Sequence, residues 1–269
     1  MSRIRGDCWC SQIRTRERRC ETGPARWRAH CGSSDTRSAL SVDQPKPDVL
    51  KPSTRNSEAM LVAFDFDGTL SDSEMTVLLG SQNGTAEDMA DITERAMNNE
   101  IEYAESLRQR CALLEGLSEE KAQDAFDEVA LRPGAARVIE ALRDAGVYVA
   151  ILTGGFERGV EAALETEGVE VDAIVANRLV MQDGELTGEV HGPLITGTKD
   201  DAMEVVTAVT GEDRDTTVAV GDGANDLPML EVANLAIGFD PKPAVAPSCD
   251  TSVETMDELY DLLEAEDVL

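Results

Sequence analysis

Positive charge is scarce in this 269-residue sequence and unevenly placed. Of its 24 Lys and Arg, 12 precede Met60, along with only 7 of the 53 Asp and Glu. From Met60 onward, 12 basic residues face 46 acidic ones, a net charge of −34. Such a surface argues against nucleic acid or an anionic membrane as a partner. It matches instead a cytosol rich in salt, where carboxylates hold water and their mutual repulsion is screened. Cysteine is scarce in the same region. Cys8, Cys10, Cys20 and Cys31 fall in the first 31 residues with both tryptophans, leaving Cys111 and Cys249. Two thiols are too few for a disulfide framework, so a reduced, cytoplasmic compartment is expected. Cys8, Cys10, Cys20, Cys31 and His30 are zinc-ligand types, but their spacing matches no common finger. No stretch approaches the roughly 20 apolar residues of a membrane span. Arg18-Arg19 is followed by Cys20 and then Glu-Thr-Gly-Pro-Ala-Arg rather than an apolar signal core. Residues 1–59 are therefore expected to be a disordered or spurious extension ahead of a globular body.

That body alternates apolar strand candidates with helical patterns. Strands are expected at Leu61–Phe66, Val147–Thr153, Ala173–Ala176, Thr217–Gly221 and Leu235–Phe239, and helices at Pro133–Ala145, Phe156–Glu167 and Thr198–Val209. Alternation of this kind predicts an α/β fold, a doubly wound and largely parallel sheet with helices on both faces. Gln182-Asp183-Gly184 between the runs Leu179–Met181 and Glu185–Val190 signals a hairpin. Residues 75–130 break the alternation with helical periodicity alone, capped at Thr85 and Ser118. The expected organisation is a core of 60–74 plus 131–269, with a small helical cap of 75–130 inserted after the first strand. Ligands of open α/β sheets bind beyond the carboxyl ends of the strands, where this cap would form a lid.

The chemistry collects at those strand ends. Asp65 and Asp67 follow the first strand, two apart, so both side chains can lean to one face. Thr153-Gly154-Gly155 ends the second strand with a hydroxyl and glycine amides, an anion site in type. Lys199 follows Gly197-Thr198, where Thr198 and Asp201 can form a capping box. Gly221-Asp222-Gly223-Ala224-Asn225-Asp226 ends the fourth strand, and its carboxylates are the hard oxygen ligands that Mg²⁺ prefers. Taken singly, most of these stretches also read as capped turns. In this order they supply a carboxylate nucleophile, a second acid, a cation for the phosphoryl group and a metal site.

The stretches "DFDGT", "LTGGF", "GTKDDA" and "GDGANDLPML" resemble the haloacid dehalogenase superfamily, and closely its phosphoserine phosphatases, over nearly all of residues 61–247. The resemblance implies that Asp65 is the phosphorylated nucleophile and Asp67 the acid/base. It implies that Thr153, Gly154 and Lys199 hold phosphate. Mg²⁺ would sit on Asp65, the Asp67 carbonyl and Asp222, with Asn225 and Asp226 supporting; Asn225 would also lie against the substrate. "EYAESLRQRCALLEGL" resembles the family's cap helix, which implies that Glu74 and Arg110 take the substrate's ammonium and carboxylate. Tyr103, Leu107, Arg110 and Leu114 fall on one helix face, with Arg108 pointing elsewhere. Asp72 receives no role beyond a solvated loop or cap. Thr153 and Gly68 stand where many phosphoserine phosphatases carry Ser. The expected activity is Mg²⁺-dependent hydrolysis of O-phosphoserine, part of serine biosynthesis. Two other readings stay open: a relative acting on another small phosphate ester or transferring the phosphoryl group, and a non-catalytic phosphate-binding or phospho-aspartyl signalling module.

Overall fold

The computed structural model describes residues 60–97 and 100–269. The expected N-terminal extension and the Cys8, Cys10, Cys20, Cys31 and His30 cluster lie outside the described residues. Seven strands form one sheet: β1 (Leu61–Phe64), β2 (Tyr148–Phe156), β3 (Ala173–Gln182), β4 (Glu185–His191), β5 (Thr217–Gly221), β6 (Leu235–Phe239) and β7 (Thr251–Val253). Their order is β4-β3-β2-β1-β5-β6-β7, all neighbours parallel except the β3–β4 hairpin. β1 is fully buried, as a central parallel strand must be. Its alternate residues feed two apolar layers. Val62 and Phe64 pack with Ile139 and Leu259 on one face, Leu61 and Ala63 with Met203 and Met229 on the other.

Four helices fill residues 75–130: α1 (Met75–Asn83), α2 (Ala86–Met97), α3 (Tyr103–Ala112) and α4 (Glu119–Asp127). The Ser118 hydroxyl caps α4 by accepting from the Lys121 amide, as its sequence position implies. The core helices are α5 (Ala135–Ala145), α6 (Glu157–Glu167), α7 (Pro193–Thr196), α8 (Lys199–Thr210), α9 (Leu227–Val232) and α10 (Met256–Ala265). The chain just before α4 joins the β3–β4 hairpin: Gly116 N–H donates to Leu186 O and Leu186 N–H to Leu117 O, both at 2.8 Å. The helical insertion thus leans on the hairpin that edges the sheet.

Several boundaries differ from the sequence reading. β1 stops at Phe64, because the chain turns sharply after Asp65. β2 runs on through Thr153 to Phe156. Ala173–Ala176 and Leu179–Met181 are one strand, β3, which pairs parallel with β2 in its first half and antiparallel with β4 in its second. β7 and α10 have no counterpart in that reading. From β1 the chain moves to β2 and beyond, then returns past β1 to β5, so the crevice at a change of strand order opens beyond β2, β1 and β5.

Candidate active site

The end of β1 carries Asp65 into that crevice. Its amide still donates to Val220 O of β5 at 2.9 Å, so Asp65 keeps the sheet's register after the ladder ends. The next turn depends on Gly68, at φ 95°. A Cβ there would lie 2.7 Å from Asp222 Oδ1. Glycine therefore serves twice, for its left-handed backbone and for the approach of Asp222.

Beyond β5, Asp226 builds the loop that presents Asp222. Its Oδ2 accepts from the amides of Asp222 (2.9 Å) and Gly223 (2.8 Å). Its Oδ1 accepts from Lys199 Nζ at 2.5 Å and from Asn225 Nδ2 at 3.2 Å. Lys199 Nζ also donates to Asp65 Oδ1. The ammonium opens α8 behind a capping box made by Thr198 and Asp201. Asp65, Asp222, Asp226 and Lys199 are all buried.

Three buried carboxylates against one buried ammonium leave an excess of negative charge. Burial first, then Asp226, push the Asp65 carboxyl up to about 8, against the pull of Lys199. Burial alone would drive the Lys199 ammonium toward neutrality. Asp226 and Asp65 outweigh it and hold its pKa above the ordinary value. Oxygens of Asp65, Asp222 and Asp226 lie within 4.8 Å of one another. A hard-oxygen donor set with uncompensated charge fits a divalent cation.

Asp67 stands apart from that cluster. Its Oδ1 is buried with no hydrogen-bond partner, and its Oδ2 lies 2.8 Å from where a Cβ of Gly155 would be. Burial, then the charges of Glu74 and Asp65, raise its carboxyl well above the usual range. A buried acid whose proton affinity is raised and whose Oδ1 is uncommitted is suited to proton transfer. Facing it, the Thr153 hydroxyl accepts from the Gly155 amide at 2.9 Å.

The helical insertion supplies the opposite wall. Arg110 is buried on α3; its Nη1 donates to Thr76 Oγ1 at 3.1 Å while its Nε has no partner. Ser106 Oγ, one turn earlier, is also buried without a partner. Glu74 holds the N-terminal position of α1 without capping it. That carboxyl stays open to solvent, yet burial in the cleft raises it against the pull of Arg110 and Lys242. Arg108 and Asp72 are exposed, as expected.

Lys242 and Asn177 escaped the sequence reading, and Tyr103 entered it only as a position on the helix stripe. The Tyr103 hydroxyl reaches over Gly154, where a Cβ would collide with it, and burial pushes that hydroxyl up to about 12 although the residue as a whole is 39% exposed. Lys242, after β6, places Nζ 2.9 Å from Asp222 Oδ2. Its signal was available, since it is one of only 12 basic residues from Met60 onward. Asn177, buried in β3, donates to the Gly154 carbonyl at 2.9 Å. The opening between α3 and β4, about 510 Å³ and lined by Arg108, His191 and Ile195, holds none of the carboxylate cluster.

Comparison with known proteins agrees with this geometry. The haloacid dehalogenase-like hydrolase family matches residues 62–231. A phosphoserine phosphatase of Halobacterium salinarum is 52% identical over 204 residues, spanning 76% of this chain and 97% of that protein. One from Methanocaldococcus jannaschii is 36% identical over 198 residues, spanning 73% and 93%. Among solved structures, a phospho-aspartyl intermediate analogue of a phosphoserine phosphatase aligns with TM-score 0.71 at 34% identity, over 77% of this chain and 99% of that one. A substrate-bound phosphoserine phosphatase complex aligns equally well, over 78% and 99%. With motifs, fold and relatives in agreement, the chain belongs to the haloacid dehalogenase-like hydrolases and, within them, to the phosphoserine phosphatase family.

Proposed function

We propose that this protein is a Mg²⁺-dependent phosphoserine phosphatase, hydrolysing O-phospho-L-serine to L-serine and phosphate through a phosphorylated Asp65. The observation that carries the reading is the pairing of two walls. Asp65, Asp67, Thr153 and Lys199 line the core side, and buried Arg110 with uncommitted Glu74 lines the side of the insertion. Residues 75–130 then act as a cap on a core of 60–74 and 131–269.

An Asp65 oxygen attacks phosphorus, and the bond from phosphorus to the serine oxygen breaks. The electron pair left on that oxygen takes the proton held by Asp67, and serine departs. Water then attacks the same phosphorus and gives a proton to Asp67. The phospho-aspartyl bond breaks, returning Asp65 as carboxylate and releasing phosphate. Lys199 stays charged throughout and balances the phosphoryl oxygens. Asp65, the Asp67 carbonyl and Asp222 would hold Mg²⁺, with Asp226 and Asn225 fixing the loop. When bound, the ion would offset the excess charge of the cluster and of the phosphoryl group.

Turnover across a panel of phosphoserine, phosphothreonine and sugar phosphates tests the assignment. Phosphoserine should be preferred by about 10²-fold in kcat/KM. A flat profile, or preference for a sugar phosphate, would move the chain to another ester. Absence of any phosphate release with Mg²⁺ would leave a binding or signalling module.

We further assign the protein to a salt-rich cytoplasm and to serine biosynthesis. The net charge of −34 from Met60 onward and a relative in Halobacterium salinarum support the setting. No helix among the described residues is long and apolar enough to cross a membrane. Thermal stability should rise as KCl is added, because the Debye length shrinks from about 10 Å at 0.1 M to about 3 Å at 1 M. A melting temperature highest in dilute buffer and falling with KCl would remove the halophilic assignment.

A further inference from the structure

We propose that Asn177 is a positioning residue that sets the phosphate-binding loop and ties it to the segment carrying Lys199. The inference rests on reading Thr153 and Gly154 as phosphate-binding. Asn177 is wholly buried in β3, opposite Phe156 of β2, where an apolar residue would ordinarily stand. A buried amide is costly unless both its ends are satisfied. Here both are: Nδ2 donates to Gly154 O at 2.9 Å and Oδ1 accepts from Leu194 N–H at 3.2 Å. The two bonds fix which way the amide faces.

The fold makes room for this side chain. Gly192 passes so close that a Cβ there would run into Asn177 Oδ1 and lie 2.6 Å from its Cα. Gly154 O and Gly155 N–H belong to one peptide plane. Asn177 holds the oxygen, and Thr153 Oγ1 holds the N–H at 2.9 Å. Two successive glycines could otherwise rotate freely. With the plane pinned, the Thr153 hydroxyl stays engaged as the acceptor for the Gly155 N–H. The same amide anchors Leu194 in α7, which ends at Thr196, three residues before Lys199. One side chain therefore sets the spacing between the Thr153–Gly154 loop and the ammonium. Displacing groups of this kind by about 1 Å can cost on the order of 10²-fold in rate.

Asn177→Asp is the informative variant: nearly the same shape, still an acceptor for Leu194 N–H, but no donor for Gly154 O. Calorimetric titration of the full chain with inorganic phosphate, and separately with Mg²⁺, reads binding without turnover. Phosphate affinity should fall at least about 10-fold with Mg²⁺ affinity unchanged, and kcat/KM should fall alike for phosphoserine and an aryl phosphate. Gly192→Ala, which pushes the amide aside without removing it, should act in the same direction. It also serves if substitutions at 177 do not fold. Unchanged phosphate affinity in the folded variants, or a loss confined to phosphoserine, would overturn the proposal. If the wild type hydrolyses only the aryl ester, the substrate assignment fails while the phosphate titration still judges Asn177.

Discussion

Asp65→Asn should give a folded protein that releases phosphate at least about 10³-fold more slowly than the wild type, a loss of roughly 4 kcal/mol in the barrier. Asn keeps the shape of the side chain and can still accept from Lys199, but it offers no carboxylate oxygen to bond phosphorus. Folding should survive because the substitution removes one of three crowded, buried carboxylates, the one whose charge burial and Asp226 already disfavour. The melting temperature in chelator should therefore be no lower than that of the wild type. Rapid-quench experiments with labelled substrate should trap phosphoprotein in the wild type and none in the variant. Phosphate release within about tenfold of wild type would rule out a covalent route through Asp65, and direct attack by water would have to replace it.

The residues proposed for that reaction stand out in the sequence for a physical reason. In a parallel sheet the strands are buried on both faces, so they appear as short apolar runs, and charged groups can stand only where those runs end. Asp65, Thr153 and Asp222 all occupy such ends. Lys199 stood out for its rarity in an acidic chain. Less was legible where position depends on contacts between distant segments. Asn177 lies inside a strand, and its partners Gly154 and Leu194 are 23 and 17 residues away. Nothing local marks it. The union of Ala173–Ala176 with Leu179–Met181 was hidden for a related reason: β3 changes partner midway, so its burial pattern changes and the apolar signal breaks. At three residues, β7 is too short for any periodicity. The stripe of Tyr103, Leu107 and Arg110 was readable, but helix α3 ends at Ala112, so Leu114 is buried from the turn beyond it.

The second large effect concerns that stripe. Arg110→Ala should cut kcat/KM for phosphoserine by about 10²-fold, roughly 2.7 kcal/mol, while an aryl phosphate lacking carboxylate and ammonium should lose far less. Arg110 is buried with one nitrogen on Thr76 and its Nε unpaired. A buried guanidinium with an open donor is incomplete in the free protein, and a substrate carboxylate would complete it. Glu74→Ala should show the same selectivity, since that carboxylate caps no helix and is open to an ammonium. Both contacts form away from phosphorus, so they supply binding energy and closure of the cap rather than bond-making. The Thr76 bond gives Arg110 a structural use as well, and the two-substrate comparison separates the roles. If Arg110 mainly braced α3 against α1, both esters would suffer equally, because the cap would close poorly over either. A loss confined to phosphoserine has no such structural source. It would assign the charged pair on the wall of the insertion, Glu74 and Arg110, to the amino-acid end of the substrate.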